Sequence, residues 1–317
     1  MDSKLHSSPE HGLSPLNCGA FTISQGNRNL VLQTGSRDDR YYILYMGYLI
    51  TDKKKVTAKT LLQMKTAGEK ITQMTAYDFT TAGIIDTAGI DSILVGDSAS
   101  NVVAGNQDTT PITLEEMIYH ARAVVRACRH CLVVCDMPFG SYQVSREEGI
   151  HNAIRIIKET GAGAVKMEGG KEIAETVKGI VDSGVPVVGH LGLTPQSIHK
   201  FGGYGLRAKD DAEAERLIED ALALDDAGVS AITLEKVPAA LATKVTSMVK
   251  AATIGIGAGS GTDGQVLVYA DALGMTQGFK PKFLRQFANV GKCMTEGVQE
   301  YIKCVKEKSF PSDAEAY

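Results

Sequence analysis

The sequence lacks the features that mark several large classes of protein. Its 33 lysines and arginines against 37 aspartates and glutamates give a net charge of −4, so it offers no basic surface to nucleic acid. Its longest nearly apolar run, residues 41–50, is too short to cross a bilayer. That run also starts too late to be the core of a signal peptide. We therefore expect a soluble enzyme with neither a nucleic-acid partner nor a membrane partner.

The six cysteines do not provide the two C-x-x-C pairs of a typical zinc site. Cys128 and Cys131 have the C-x-x-C spacing of a zinc half-site. The residues that follow predict a strand, which would separate Cys131 from Cys135 by about 13 Å, too far for one tetrahedral zinc. Cys293 and Cys304 have no such spacing. We interpret the cysteines as incidental free thiols of a protein in a reducing compartment, by default the cytoplasm.

The chain divides into two parts with different patterns. Residues 1–54 show no sustained hydrophobic period, and we predict a poorly ordered or non-native N-terminal extension, with Met46 as an alternative start. Residues 55–317 alternate short β-rich runs with longer amphipathic stretches, a pattern typical of βα units around a parallel sheet. We predict one catalytic domain over 55–317 that ends in C-terminal helices.

Short β-branched runs predict seven strands, with an eighth near Val266–Tyr269. The seven are Ile71–Ala76, Ser92–Val95, Leu132–Cys135, Ala164–Met167, Val185–Val188, Ala231–Leu234 and Thr253–Ile256. The predicted helices are Thr113–Arg126, Arg146–Thr160, Lys171–Ser183, Asp210–Ala227 and Pro238–Val249, with one or two polar helices after residue 282 that pack outside the sheet. Seven or eight such units favour a closed (β/α)8 TIM barrel over an open doubly wound sheet.

Acidic residues stand where several predicted strands end. They are Asp97, Asp136, Glu168 and Glu235. The carboxyl ends of the strands in a parallel barrel meet on one face, where the active site lies. Two carboxylates 4 Å apart repel by about 4 kcal/mol at an effective dielectric constant of 20, so this face requires positive charge. The alternative is that each acid caps the next helix or pairs locally.

Lys166 neutralises one of these charges, and a divalent cation is the expected counter-charge for the others. Carboxylate oxygens without paired cysteines favour a hard ion, Mg²⁺ before Zn²⁺. Asp97 and Asp136 follow neighbouring strands, and we therefore predict that these two carboxylates bind the metal directly.

Three interpretations of Lys166 remain open. Lys166 and Glu168 lie two residues apart on one predicted strand, so they point to the same side. The lysine can form a structural ion pair, bind a substrate carboxylate, or act as a Schiff-base nucleophile. Glu168 disfavours the last because a nearby anion keeps a lysine protonated. His190, at a predicted strand end, either orients substrate or completes a turn, and the glycine-rich run 201–206 is either a mobile lid or a plain connection.

Six motifs, in order, resemble the ketopantoate hydroxymethyltransferase (3-methyl-2-oxobutanoate hydroxymethyltransferase) family. They are Thr75–Asp78, Val95–Ser98, Asp136–Tyr142, Val165–Gly170, Gly189–Ser197 and Ile254–Gly259. The resemblance implies a barrel of the phosphoenolpyruvate/pyruvate type, one Mg²⁺ per subunit and a homodecamer. It implies that 5,10-methylenetetrahydrofolate gives a hydroxymethyl group to 3-methyl-2-oxobutanoate through a Mg-stabilised enolate. The product would be 2-dehydropantoate (ketopantoate), in pantothenate and coenzyme A biosynthesis.

The resemblance also implies roles for individual residues. Asp97, Asp136 and Glu168 resemble the metal site, with Glu168 acting directly or through water. Asp97, Ser98, Asp136 and Lys166 resemble the residues that bind the keto acid, and Glu235 resembles the proton acceptor. The alternatives are another 2-oxo acid C–C lyase or mutase, a Schiff-base aldolase that uses Lys166, and a catalytically silent barrel.

Overall fold

The computed structural model describes residues 55–276, 278 and 281–317. Its centre is a closed barrel of eight parallel strands that pair in chain order, with the last strand against the first. The strands are β1 (Ile71–Thr75), β2 (Ser92–Val95), β3 (Leu132–Asp136), β4 (Ala164–Glu168), β5 (Val187–Gly192), β6 (Ala231–Glu235), β7 (Ala252–Ile256) and β8 (Gly264–Leu267). The predicted (β/α)8 barrel is thus confirmed and the open sheet is wrong. The predicted N-terminal extension, residues 1–54, lies outside the described residues.

The helices of the described ranges number eleven. They are α1 (Ala58–Ala67), α2 (Phe79–Thr87), α3 (Ala99–Val102), α4 (Leu114–Ala127), α5 (Arg146–Thr160), α6 (Ala174–Asp182), α7 (Ile198–Phe201), α8 (Asp211–Asp226), α9 (Ala239–Met248), α10 (Tyr269–Ala272) and α11 (Val290–Lys306). The five helices predicted within 113–249 are confirmed to within a few residues, and α4 begins at a capping box formed by Thr113 and Glu116. No helix within these ranges is long and apolar enough to span a bilayer.

Two strands, β5 and β8, differ from their predicted bounds by two or more residues, and each contains a glycine. Gly189 pairs with Met167 and Ile232 within the sheet. A Cβ atom at this position would lie 2.7 Å from Leu224 Cδ1 of α8, so the glycine permits close packing instead of ending the strand. β8 likewise begins at Gly264, two residues before the predicted start.

The core has two layers. One lies between the strands and the surrounding helices, and the other fills the barrel interior. Val56 and Leu61, beside and on α1, belong to the interior cluster. Lys65 of α1 donates to the carbonyls of Thr246 and Ala251. These contacts place α1 at the amino-terminal end of the barrel, opposite the strand ends that carry the acids.

The carboxyl-terminal part of the chain differs from this helix-on-sheet pattern. Residues 257–263, which connect β7 to β8, contain no helix. The later helix α11 is a single helix of 17 residues, and none of them is buried. The polar helix predicted after residue 282 therefore exists, but it adds nothing to the buried core.

Asp86 of α2 stabilises the turn between α4 and β3 by hydrogen bonds. Its carboxylate accepts main-chain N–H groups of Arg129, His130 and Cys131 at 2.9, 3.2 and 2.8 Å. Burial raises the pKa of Asp86, but these hydrogen bonds lower it by more, so the pKa lies below its ordinary value. The ionised carboxylate therefore stabilises the folded state.

We expect Asp86→Asn to lower the free energy of unfolding at pH 7 by about 1 kcal/mol, because one amide oxygen cannot serve three donors. The stabilising effect of Asp86 is present above its unfolded-state pKa and disappears as pH falls through the lower folded-state pKa. Urea unfolding at pH 7 and pH 3 measures this. Asp182→Asn, at an exposed ion pair with Lys178, is the control, and an equal loss at both pH values would contradict the interpretation.

Candidate active site

The carboxyl ends of the strands enclose a cavity of about 210 Å³. Its walls contain every residue that the sequence predicted for the site: Asp97, Ser98, Asp136, Lys166, Glu168 and Glu235. His190 joins them from β5. The apolar part of the wall includes Leu94, Ile256 and Val266. The cavity thus combines a cluster of charges with an apolar surface, a combination suited to a small acid that has a hydrocarbon end.

Asp136 and Lys166 form an ion pair at the bottom of the cavity. Lys166 Nζ lies 3.0 Å from Asp136 Oδ2, and the two side chains are 4% and 2% exposed. The main-chain N–H of Asp97 donates to the same oxygen at 3.0 Å. Among the residues that the structure describes, none is a hydrogen-bond partner of Asp136 Oδ1. One oxygen of a buried carboxylate is therefore available to a cation or to a donor on a ligand.

Asp97 is a buried carboxylate close to two others. Burial, together with the charges of Asp136 and Glu168, raises the pKa of Asp97 to about 8. Lys166 and a hydrogen bond from Gln196 Nε2, 2.8 Å from Asp97 Oδ2, oppose this rise without cancelling it. At neutral pH Asp97 therefore retains its proton unless a further positive charge approaches it.

Both carboxylate oxygens of Glu168 have hydrogen-bond partners. His190 Nδ1 lies 3.1 Å from Oε1, and the main-chain N–H of Gln196 donates to Oε2 at 2.9 Å. Burial alone would raise the pKa of Glu168, but His190 and Lys166 lower it below its ordinary value. Within the described residues, oxygens of Asp97, Asp136 and Glu168 do not all lie within 4.8 Å of one another.

His190 connects Glu168 to Glu235. Its Nε2 atom lies 3.3 Å from Glu235 Oε2, without the alignment of a hydrogen bond, and its Nδ1 atom lies 3.3 Å from Lys166 Nζ. Burial and Lys166 lower the pKa of His190, but Glu168 and Glu235 raise it to about 9. The two carboxylates beside the ring therefore favour its protonated form. It lies inside β5, so the prediction that it stands at a strand end or in a turn is wrong.

Two buried residues that the sequence reasoning did not single out hold this cluster together. The Tyr142 hydroxyl accepts the N–H of Glu168 at 3.0 Å and donates to Gln196 Oε1 at 2.7 Å. Gln196 Nε2 donates to Asp97 Oδ2 and, at 2.9 Å, to the Met137 carbonyl. Both residues lie in motifs quoted for the family resemblance, and that was the one signal available in the sequence.

The glycine-rich run 201–206 borders the cavity through Tyr204. The ammonium of Lys236 donates to the Tyr204 carbonyl. Lys236 follows β6 with φ of 45°, a left-handed conformation that is uncommon for a residue with a side chain. This backbone conformation directs Lys236 toward the loop, and Lys236 is not one of the residues that line the cavity.

Comparison with known proteins gives consistent results. Residues 55–313 match the family model described as ketopantoate hydroxymethyltransferase. The chain is 56% identical over 271 residues to the 3-methyl-2-oxobutanoate hydroxymethyltransferase of Bacteroides fragilis, covering 86% of this chain and 99% of the relative. It is 58% identical over 264 residues to the protein of the same name from Christiangramia forsetii, covering 83% and 97% respectively.

Solved structures with a similar fold are much more distant in sequence. A 2,3-dimethylmalate lyase of the phosphoenolpyruvate mutase/isocitrate lyase superfamily has a TM-score of 0.53 and 14% identity, over 83% of this chain and 93% of that chain. A phosphonopyruvate hydrolase in complex with oxalate and Mg²⁺ has a TM-score of 0.53 and 11% identity, over 81% and 92%. At these identities the similarity concerns the fold, a barrel of the phosphoenolpyruvate/pyruvate type.

Proposed function

Because the chain belongs to the ketopantoate hydroxymethyltransferase family, we propose that it transfers a hydroxymethyl group from 5,10-methylenetetrahydrofolate to 3-methyl-2-oxobutanoate. The chain is an enzyme of the hydroxymethyltransferase class, as its curated relatives are named. The folate donor, the Mg²⁺ ion, the place in pantothenate biosynthesis and the role of each residue belong to the proposal. The main support for the proposal is that Glu235 and the ammonium of Lys166 line the same cavity as three other carboxylates. Those are the carboxylates of Asp97, Asp136 and Glu168.

The site fits one Mg²⁺ ion per subunit. Mg²⁺ takes one or two protein carboxylates and leaves its other positions to water and substrate. Asp97 and Asp136 are the proposed direct ligands, supported by the unpartnered Oδ1 atom of Asp136 and by the raised pKa of Asp97. Glu168 would act through water. When bound, the ion supplies Lewis acidity to the keto oxygen of a 2-oxo acid.

The chain's own residues bind and orient the keto acid. Lys166 offers an ammonium to the acid, and Ser98 offers a hydroxyl whose Oγ lies 2.7 Å from the Tyr77 hydroxyl oxygen. The apolar wall accommodates the branched hydrocarbon end. Glu235, 16% exposed in its side chain, takes the proton from C3. The electron pair left on C3 then forms the new bond to the one-carbon unit, whose bonds to the folate nitrogens break. Water supplies the hydroxyl oxygen, and tetrahydrofolate leaves.

A Schiff-base mechanism at Lys166 has less support. Burial lowers the pKa of this lysine, but Asp136, Glu168 and Asp97 raise it above its ordinary value. Its ammonium is also paired with Asp136 at 3.0 Å. A nucleophilic lysine must lose its proton, and these anions retain it.

The proposed function is tested by following 2-dehydropantoate formation by NMR with the purified protein. We expect product formation to require both 5,10-methylenetetrahydrofolate and a divalent cation, and a chelator to stop it. Borohydride treatment in the presence of 3-methyl-2-oxobutanoate is expected to leave Lys166 unmodified. A borohydride-trapped adduct on Lys166, or full turnover in the presence of chelator, would refute the proposal.

Gln196 is expected to act as a positioning residue. Replacing it by methionine keeps its approximate size but removes the donor to Asp97 and the acceptor for Tyr142. Removing a partner of a metal ligand typically costs 10- to 100-fold in metal affinity or activity. We therefore expect Gln196→Met to raise the Mg²⁺ concentration needed for half-maximal rate by about that factor.

The matched control is the exposed glutamine Gln143, whose amide also contacts Gln196. Because Gln143 contacts none of the acids, we expect Gln143→Met to change the same midpoint by less than about threefold. A kcat loss with an unchanged Mg²⁺ midpoint in Gln196→Met would assign Gln196 a role other than orienting Asp97.

We also propose the homodecamer and the cytoplasmic location that the family resemblance implies. The exposed apolar side chains of α11 support association between copies of the chain. They include Met294, Val298 and Tyr301, each more than half exposed. Light scattering of the purified protein would give the number of chains in the assembly.

A further inference from the structure

Two cysteines at the amino-terminal end of the barrel form a close pair. Cys128 follows α4 and Cys131 precedes β3. Their Sγ atoms and a carboxylate oxygen of Asp86 all lie within 4.8 Å of one another. The C-x-x-C spacing lacks a second pair for a zinc site, but the turn between α4 and β3 brings these two thiols together.

The two thiols differ in accessibility. Cys131 is fully buried, whereas Cys128 is part-exposed and lines a cavity of about 410 Å³. The other walls of this cavity include the apolar side chains of Val125 and Leu132. Lys55 and Lys59, both exposed, border it. A reagent that reaches Cys128 therefore meets positive charge, and this favours an anionic one.

The pKa values of the two thiols are shifted in opposite directions. The hydrogen bond with Cys131 lowers the pKa of Cys128, with help from Lys55 and against burial and Asp86. The same contact raises the pKa of Cys131 well above its ordinary value, and burial adds to this rise. A part-exposed thiol with a lowered pKa beside a buried thiol with a raised pKa is the usual arrangement of an attacking and a resolving cysteine.

Asp86 does not complete a metal site with these thiols. Its two oxygens already accept the three main-chain N–H groups of the turn, and its negative charge raises the pKa of both cysteines. The same hydrogen bonds fix the main chain between Cys128 and Cys131. Because the main chain is fixed, rotation of the two cysteine side chains must bring the Sγ atoms from within 4.8 Å of each other to the S–S bond length of about 2.05 Å.

We propose that Cys128 and Cys131 are a dithiol modification site for small anionic disulfides, with Cys128 attacking and Cys131 resolving. The Cys128 thiolate attacks one sulfur of the disulfide, forms a mixed disulfide and releases one thiolate of the reagent. Cys131 then loses its proton and attacks Cys128 Sγ, which forms the Cys128–Cys131 bond and expels the second thiolate. The protein dithiol is oxidised and the disulfide is reduced to two thiols.

Incubation of the purified full chain with glutathione disulfide tests this proposal. Trypsin cleaves after Arg126 and Arg129, so it separates the two cysteines into different peptides. Mass spectrometry should then find these peptides joined, with the loss of two hydrogens, and fragmentation should assign the bond to Cys131, not Cys135. A disulfide from Cys128 to any other cysteine, or no reaction at Cys128 while the exposed Cys293 is modified, would overturn the proposal.

Two variants separate the roles. Cys131→Ser should accumulate the glutathione adduct on Cys128, because the resolving thiol is absent. Cys128→Ser should reduce modification at this turn at least tenfold and leave Cys131 as a free thiol. Circular dichroism checks that each variant folds. If the buried hydroxyl introduced by Cys131→Ser prevents folding, Cys131→Ala is used in its place. Equal modification of Cys131 in the Cys128→Ser protein would also refute the assigned order of attack.

Discussion

Replacing Glu235 by glutamine should lower the rate of proton exchange at C3 of 3-methyl-2-oxobutanoate by about 10²- to 10⁴-fold, the usual contribution of a general base. Glutamine has nearly the same shape, but its amide cannot take a proton. Glu235 lines the cavity and lies 3.3 Å from Nε2 of the His190 imidazole. NMR in D₂O, with Mg²⁺ present, follows the loss of the C3 proton signal directly.

A second carboxylate on the same cavity provides the control. Asp271 also lines the cavity, and we assign it no role, so Asp271→Asn is expected to slow exchange by less than about tenfold, well below the general-base range. Calorimetric titration with the keto acid should show that Glu235→Gln still binds it. Unchanged exchange in the Glu235→Gln protein would remove Glu235 from the mechanism, whereas loss of binding would make it a binding residue.

Replacing Asp97 by asparagine should make the metal-free protein more stable and the enzyme inactive. Asp97 is 3% exposed, and burial beside Asp136 and Glu168 raises its pKa to about 8. The folded state therefore either holds a proton that the unfolded chain would release or carries a poorly compensated charge. An amide of the same shape removes this cost and still accepts the hydrogen bond from Gln196. It is, however, a weaker ligand for a hard cation.

The pH dependence follows from the direction of the shift. A carboxyl whose pKa is higher in the folded than in the unfolded state destabilises the fold progressively as pH rises from the unfolded value, about 3.9, to the folded value. We expect wild-type and Asp97→Asn proteins to be equally stable near pH 4. Each pKa unit corresponds to about 1.4 kcal/mol, so the variant should be more stable by up to about 5 kcal/mol at pH 8.

Urea unfolding in chelator, followed by circular dichroism, measures this difference. Added Mg²⁺ is the internal control, because a cation that binds the folded state stabilises it in proportion to its affinity. Wild-type protein should gain stability with Mg²⁺, and the Asp97→Asn variant should gain little. A variant that is less stable than wild type at pH 8 in chelator would show that Asp97 contributes packing or hydrogen bonds that outweigh the repulsion.

The sequence contained enough information for the barrel and for most of the site. Strand-ending acids could be located from local pattern alone, because a parallel barrel always brings the carboxyl ends of its strands to one face. Gln196 and Tyr142 could not be located in this way. Their partners lie on other βα connections, and a glutamine or a tyrosine in a loop gives no local signal of the carboxylate that it will contact.

The errors in strand bounds have a similar origin. Gly189 and Gly264 resemble turn residues when the sequence is read locally. In the structure their missing side chains admit a helix or a neighbouring strand at close distance. Whether a glycine marks a turn or close packing depends on the neighbour, which is known only once the chain has folded.

The exposure of α11 implies that the chain does not melt as one unit. None of the 17 residues in this helix is buried, so burial of apolar surface in the barrel does little to hold it. A helix of this length is only marginally stable by itself in water. Its amide hydrogens should therefore exchange through local fraying in a single chain, while those of the strands exchange only when the whole barrel opens. Protection of the α11 amides would then report on contacts made by the helix outside its own chain.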